Sequence, residues 1–166
     1  MHKKILTRTA VILCMAALLC SCSGNSKKNY SEPVNISFDA TSAEDVEKVL
    51  NKKPDSTENN EESGITANNY ENYNFAGYDG KLVFYYAEDK LMYYQWVMTE
   101  ADEKKATKIY KDVCDNLQHN YGDGTESNNA ASNMYTTSYE TEKEQVIAQK
   151  VLVDNSYQIS FMVVGK

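Results

Sequence analysis

The sequence predicts an α+β domain: a single antiparallel sheet with helices packed on one face, in the order α-βββ-α-βββ. Three observations carry this. The apolar period is helical near 42–52, alternates over 70–98, returns to helical at 100–120 and alternates again from 134 onward. Asp, Asn and Gly pairs punctuate the alternating stretches as hairpin turns do. The chain has 166 residues, and a compact domain takes about 100–150 residues, so there is room for one core.

Taken in order, the first helix is expected from about Ser42 to Lys52. Thr41-x-x-Glu44 has the form of a capping box, Val46, Val49 and Leu50 make a stripe, Glu44 and Lys48 stand four apart, and Pro54 ends it. Residues 51–64 hold no apolar side chain and read as a flexible loop. From Tyr70 to Met98 the pattern predicts a three-stranded meander with turns at Asp79-Gly80 and Glu88-Asp89. The second helix carries Ala106, Ile109, Tyr110, Val113, Cys114 and Leu117 on one stripe. Thr99 or Asp102 caps its start, Gly122 marks its end, and Lys108–Asp112 and Lys111–Asp115 pair on its wet face. A second polar loop, 122–133, precedes strands near 134–140, 144–153 and 156–164, the last pair turning at Asp154-Asn155.

Residues 1–21 have the three parts of a secretion signal: basic His2-Lys3-Lys4 and Arg8, then an apolar run from Ala10 to Leu19. That run is too short for a bilayer core, which needs about 20 apolar residues. It ends in Leu19-Cys20-Ser21-Cys22, which resembles a bacterial lipobox. The resemblance implies cleavage before Cys22, a diacylglyceryl group on its thiol with or without a further acyl chain on the new amino group, and residence on the outer face of the cytoplasmic membrane, or on the outer membrane where one exists. Two or more chains, at about 0.8 kcal/mol per buried CH₂, make such anchoring stable. Residues 22–33 read as a flexible tether and 34–166 as the single domain.

Charge and cysteine content exclude several classes. The net charge is −7, and the leader holds three basic and no acidic residues, so the remainder has 14 basic against 24 acidic side chains, a net −10. Such a body is repelled by phosphate backbones, which argues against nucleic acid. After cleavage and lipidation only Cys114 remains as a thiol, so no internal disulfide is expected. The acids Asp55, Glu58, Glu61 and Glu62 lack the alternating ligands of a calcium loop, and no CxxC or HxxxH occurs, so no metal or cofactor is expected.

Catalytic signatures are absent from the sequence: no GxSxG, SxxK, HExxH or glycine-rich phosphate loop occurs. Cys114 and His119 stand five apart on one helix, about 140° around its axis, and do not meet. The apolar stripe places Cys114 in the core as an inert thiol, and His119 complements the dipole at the helix C-terminus.

The first half of the domain, FDATSAEDVEKVLNKKPD followed by GYDGKLVFYYAEDKLMYYQW, resembles BLIP-like small lipoprotein domains, including the SmpA/OmlA group. These pair a short capped helix ending near Gly-x-Pro with a strand pair of the pattern gly-x-leu-x-phe-x-phe-acid. Lys52-Lys53-Pro54 replaces the Gly-x-Pro, and the second short helix is missing. The resemblance implies the architecture and a protein-binding role, and assigns no functional residue.

Seven of the thirteen tyrosines fall between Tyr70 and Tyr94. A two-residue turn at Glu88-Asp89 groups Val83, Tyr85, Met92, Tyr94 and Trp96 on one face, and Lys81 and Lys90 beside them turn it away from the second helix. Its rings either simply suit a half-wet strand or form an aromatic recognition surface for a protein or glycan. Leu82, Phe84, Tyr86, Leu91, Tyr93 and Val97 then form the core. Gln95 is the exception on that side, and a different turn length would exchange the faces of one strand. The function expected is therefore a membrane-anchored extracytoplasmic binding or scaffolding module rather than an enzyme. The alternatives are a small envelope enzyme acting on glycan, or an inhibitory or structural subunit of an envelope assembly.

Overall fold

A computed structural model describes residues 29–39 and 41–166; the leader, the lipobox and most of the expected tether lie outside them. The elements are α1 (Ala43–Leu50), β1 (Ser56–Asn60), β2 (Ile65–Phe75), β3 (Tyr78–Ala87), β4 (Lys90–Glu100), α2 (Glu103–Tyr121), β5 (Thr125–Asn129), a 3₁₀ turn (Ala130–Ser132), β6 (Met134–Glu140), β7 (Glu144–Val153) and β8 (Ser156–Gly165). All eight strands form one antiparallel sheet in the order β1-β2-β3-β4-β8-β7-β6-β5. The chain thus writes one plan twice, a helix followed by a four-stranded meander. The last strands of the two meanders, β4 and β8, pair at the centre.

The α+β class with a single antiparallel sheet stands, while the order α-βββ-α-βββ is corrected to eight strands. The additional strands, β1 and β5, lie inside the two stretches expected to be polar loops. Both are edge strands and every residue in them is exposed. A strand that buries no side chain carries no alternation, so its sequence reads as loop. It is held by its backbone ladder and by polar pairs such as Thr57 Oγ1 to Asn68 Oδ1 at 2.8 Å. Polar edges of this kind also discourage pairing with foreign strands.

Local chemistry fixes the ends of the helices. Ser42 caps α1, and the box closes through Asp45, one residue later than the Thr41–Glu44 pair expected; Asn51 ends the helix in the left-handed region. Only Val46 of the expected stripe is fully buried, since Val49 is 53 % exposed. Lys48 pairs with Asp45 at 3.2 Å. On α2 the expected stripe faces the core through Ala106, Ile109, Val113 and Leu117, Asp102 caps the start, and Lys108 pairs with Asp112 at 2.6 Å.

Three hairpins turn on two residues with positive φ: Ala76-Gly77, Glu88-Asp89 and Asp154-Asn155. That conformation matches the right-handed twist of the strands it joins. The first turn sits three residues before the expected Asp79-Gly80, which instead belongs to β3. Gly80 is needed there because a Cβ would stand 2.5 Å from the Trp96 ring.

The core lies between the helices and one face of the sheet. Trp96, Phe75 and Phe161 pack together, with ring centroids 4.6–6.0 Å apart, and Tyr94 packs on Phe84 at 5.3 Å. The segment before α1 completes this layer: Val34 and Ile36 are buried and the Tyr94 hydroxyl donates to Val34 O at 3.1 Å. Ser31 is also held, its amide donating to Asn116 Oδ1 at 2.6 Å and its hydroxyl accepting from the Ala76 amide at 3.0 Å. The end of the expected tether is therefore docked on α2 and the β2–β3 turn, because Asn116 and Ala76 supply partners for its backbone and hydroxyl.

Candidate functional site

In an antiparallel sheet, residues directly opposite each other share a face. On the four central strands, β3, β4, β8 and β7, the face turned from the helices is set by the rows Val83↔Gln95↔Met162↔Ile147 and Tyr85↔Tyr93↔Val164↔Gln145. A third row runs Lys81↔Val97↔Ser160↔Gln149. Helix α2 packs on the opposite side, and most residues of these rows are half-exposed, although Val83 and Ser160 are buried. Apart from Lys81 at one margin, these rows carry apolar, hydroxyl and amide side chains and no charge. Depletion of charge at the centre with polar groups outside it is the composition of protein-binding surfaces.

Of the expected surface, Tyr85 lies half-exposed on this face and Met92 is 41 % exposed at its border, whereas Val83 shares the face but is only 5 % exposed, so it is no contact residue. Tyr94 and Trp96 do not: they are 1 % and 0 % exposed and form the centre of the core, so that assignment is corrected. The two-residue turn at Glu88-Asp89 is present. However, the register shifts between Tyr85↔Tyr93 and Tyr86↔Leu91, so Met92 is an extra residue on β4. Such a bulge inverts the side-chain parity beyond it. Leu82, Phe84, Tyr86 and Leu91 stay in the core as expected, whereas Tyr93 and Val97 move out. Gln95 comes out with them, which removes the one polar exception from the core side. The signal that could have found this was Gln95 itself, because burying an unpartnered amide is costly.

The densest aromatic feature of the open face is the Tyr85–Tyr93 pair, stacked with centroids 4.4 Å apart. It borders a shallow hollow of about 680 Å³ with Ile65 and Ala67 on its floor and Glu58, Glu61 and Glu62 on its rim. Burial, then the neighbouring Tyr93 and Glu58, push the Tyr85 phenol above its usual value, so Tyr85 is neutral at physiological pH. An apolar, stacked platform beside three carboxylates suits an aliphatic or aromatic anchor flanked by a basic side chain.

A second concavity lies on the covered side, between α2 and β5–β7, with a volume of about 860 Å³. Its lining includes Lys150, Tyr135, Thr137, Thr107, Tyr110 and Cys114. Cys114 is half-buried with its thiol 3.7 Å from Thr137 Oγ1, and burial raises its pKa, so it is a poor nucleophile. His119 does not approach it; its ring stacks on Tyr30 at 4.1 Å at the surface. Among the described residues no group of three His, Cys, Asp or Glu side chains is placed to hold a metal ion, and no helix is long and apolar enough to cross a membrane.

No family model matches the chain, nor does any curated protein or solved structure.

Proposed function

We propose that this chain is an extracytoplasmic lipoprotein, anchored through lipid on Cys22, that works as a binding module and receives a protein partner on the open face of its sheet. The observation that carries this reading is the half-exposed, almost charge-free face of the four central strands, with the Tyr85–Tyr93 stack at one side. A face with this apolar content is normally covered, by the chain's own elements or by a partner. The acidic rim of Glu58, Glu61 and Glu62, on a body of net −10, favours a partner with a basic contact loop. The lipobox would supply the membrane address, and the domain would supply the specificity.

The test uses the full chain in its native membrane with a photo-cross-linking side chain at Gln95, on the open face, or at Val49, exposed on α1. A discrete cross-linked protein is expected from Gln95 and not from Val49, and Tyr85→Ala/Tyr93→Ala should abolish it. Equal cross-linking from both positions, or none from Gln95, refutes the assignment. Cys22→Ser in the same cells should move the chain out of the membrane fraction; a variant still firmly in the pellet would show another anchor.

A further inference from the structure

The cleft beneath α2 holds a charge that the fold does not neutralise. Lys150 is 3 % exposed, although lysine is almost never fully buried without a partner. Its ammonium donates to Thr107 Oγ1 at 2.8 Å and faces the rings of Tyr135 at 4.3 Å and Tyr157 at 5.4 Å. An ammonium has three donors, and these contacts supply one oxygen and two weakly accepting ring faces. No carboxylate of a described residue comes within ion-pair distance of it; Glu103 influences it only from farther away. Burial accordingly disfavours its charged form, in keeping with a missing counter-ion.

The floor of the same cleft also carries the opposite charge. Strand pairing places Lys150 beside Tyr135 and Tyr135 beside Asn128, with Glu126 two residues from Asn128 on the same face. Two strand spacings and two residues of rise put the Cα atoms of Lys150 and Glu126 roughly 12 Å apart. Glu103, Asp112, Asp115 and Asp123 line the cleft as well, with Lys108 and Lys111. None of these acids comes within ion-pair distance of Lys150, and with Glu103, Asp112, Asp115, Asp123 and Glu126 set against Lys108, Lys111 and Lys150 the lining is net negative, hence hostile to a simple anion. A ligand with a carboxylate at one end and an ammonium at the other satisfies both ends, and an extended dipeptide spans about 7 Å between them.

We infer that the cleft beneath α2 binds a small zwitterion of the amino-acid or dipeptide class, its carboxylate received by Lys150 and its ammonium by the Glu126 side. Thr137 Oγ1 and the Tyr110 hydroxyl, 2.8 Å from each other, lie on the path between the two ends and offer hydrogen bonds to a peptide group. This site is separate from the open face and stands or falls independently of it.

Isothermal titration of the full chain with glycylglycine tests the assignment, with N-acetylglycine and glycinamide as probes lacking one charge each. Saturable one-to-one binding of glycylglycine is expected. Lys150→Met should weaken it by about 10- to 100-fold, the loss of a charge-assisted hydrogen bond. Glu126→Gln, an exposed change, should weaken glycylglycine but leave N-acetylglycine unaffected. Near-UV circular dichroism confirms that each variant keeps its packing, and if Lys150→Met loses it, the Glu126→Gln and probe comparisons decide. No saturable binding of glycylglycine, binding unchanged in folded Lys150→Met, or N-acetylglycine binding as tightly as glycylglycine would each overturn the proposal.

Discussion

Tyr93 and Tyr94 are neighbours in sequence, yet truncating them should have very different effects. Tyr94 is 1 % exposed, packs on Phe84 at 5.3 Å and on Phe38 at 6.2 Å, and donates to Val34 O. Removing a buried aromatic ring costs about 3–5 kcal/mol, and the carbonyl left without its donor adds about 1 kcal/mol. Tyr93 is half-buried and its stack on Tyr85 is worth about 0.5–1.5 kcal/mol, to which partial burial adds about 1 kcal/mol. Tyr94→Ala should therefore cost about 4–6 kcal/mol and Tyr93→Ala about 1.5–2.5 kcal/mol. Against a total stability of about 5–15 kcal/mol, the first approaches unfolding and the second does not. Urea denaturation of the full-chain variants measures both. With a slope of about 2 kcal/mol per molar, the midpoint should fall by about 2–3 M for Tyr94→Ala and by about 1 M for Tyr93→Ala. Equal losses, or a greater loss at Tyr93, would mean that the bulge at Met92 is absent and that β4 faces the other way.

Two further outcomes follow from the same packing. Gly80→Ala should destabilise the domain by about 1–3 kcal/mol or more, read as a lowered thermal midpoint and altered tryptophan fluorescence, since the new methyl would stand 2.5 Å from the Trp96 ring; a neutral substitution would show that β3 and β4 are not packed this closely. Alkali should also unfold the domain: burial, with help from Glu47 and Asp55, pushes Tyr70 up to about 12, and burial holds Tyr86, Tyr94, Tyr110 and Tyr139 higher still. These folded-state values lie above the unfolded value near 10, so their stabilisation is complete below pH 10 and is lost as pH rises through 12 and beyond. Lys150, shifted down, acts in the opposite sense over the interval below its unfolded value of 10.5 and offsets a small part of the loss. Tyrosinate absorbance and circular dichroism should change together above pH 10; buried tyrosines that ionise near pH 10 with the fold intact would refute this.

The sequence by itself determined the elements whose burial is one-sided. The α2 stripe, its Asp102 cap, the Glu88-Asp89 and Asp154-Asn155 turns and strands β6 to β8 were legible, because alternation and helical spacing record which side chains meet the core. Leu82, Phe84, Tyr86 and Leu91 were legible as core for the same reason. Tertiary structure alone decided the rest. β1 and β5 are strands through backbone pairing with β2 and β6, and a backbone ladder leaves no trace in side-chain polarity. Whether Tyr94 and Trp96 point in or out turned on one extra residue at Met92. A strand's apolar pattern fixes which residues share a face between bulges but not which face is covered, and Tyr and Trp suit either side. The juxtaposition of Lys150 and Tyr135, neighbours across the β6–β7 hairpin, with Thr107 likewise joins residues distant in sequence. Only packing α2 onto the second meander brings them together, because an isolated lysine in an alternating strand looks the same whether it meets water or a ring.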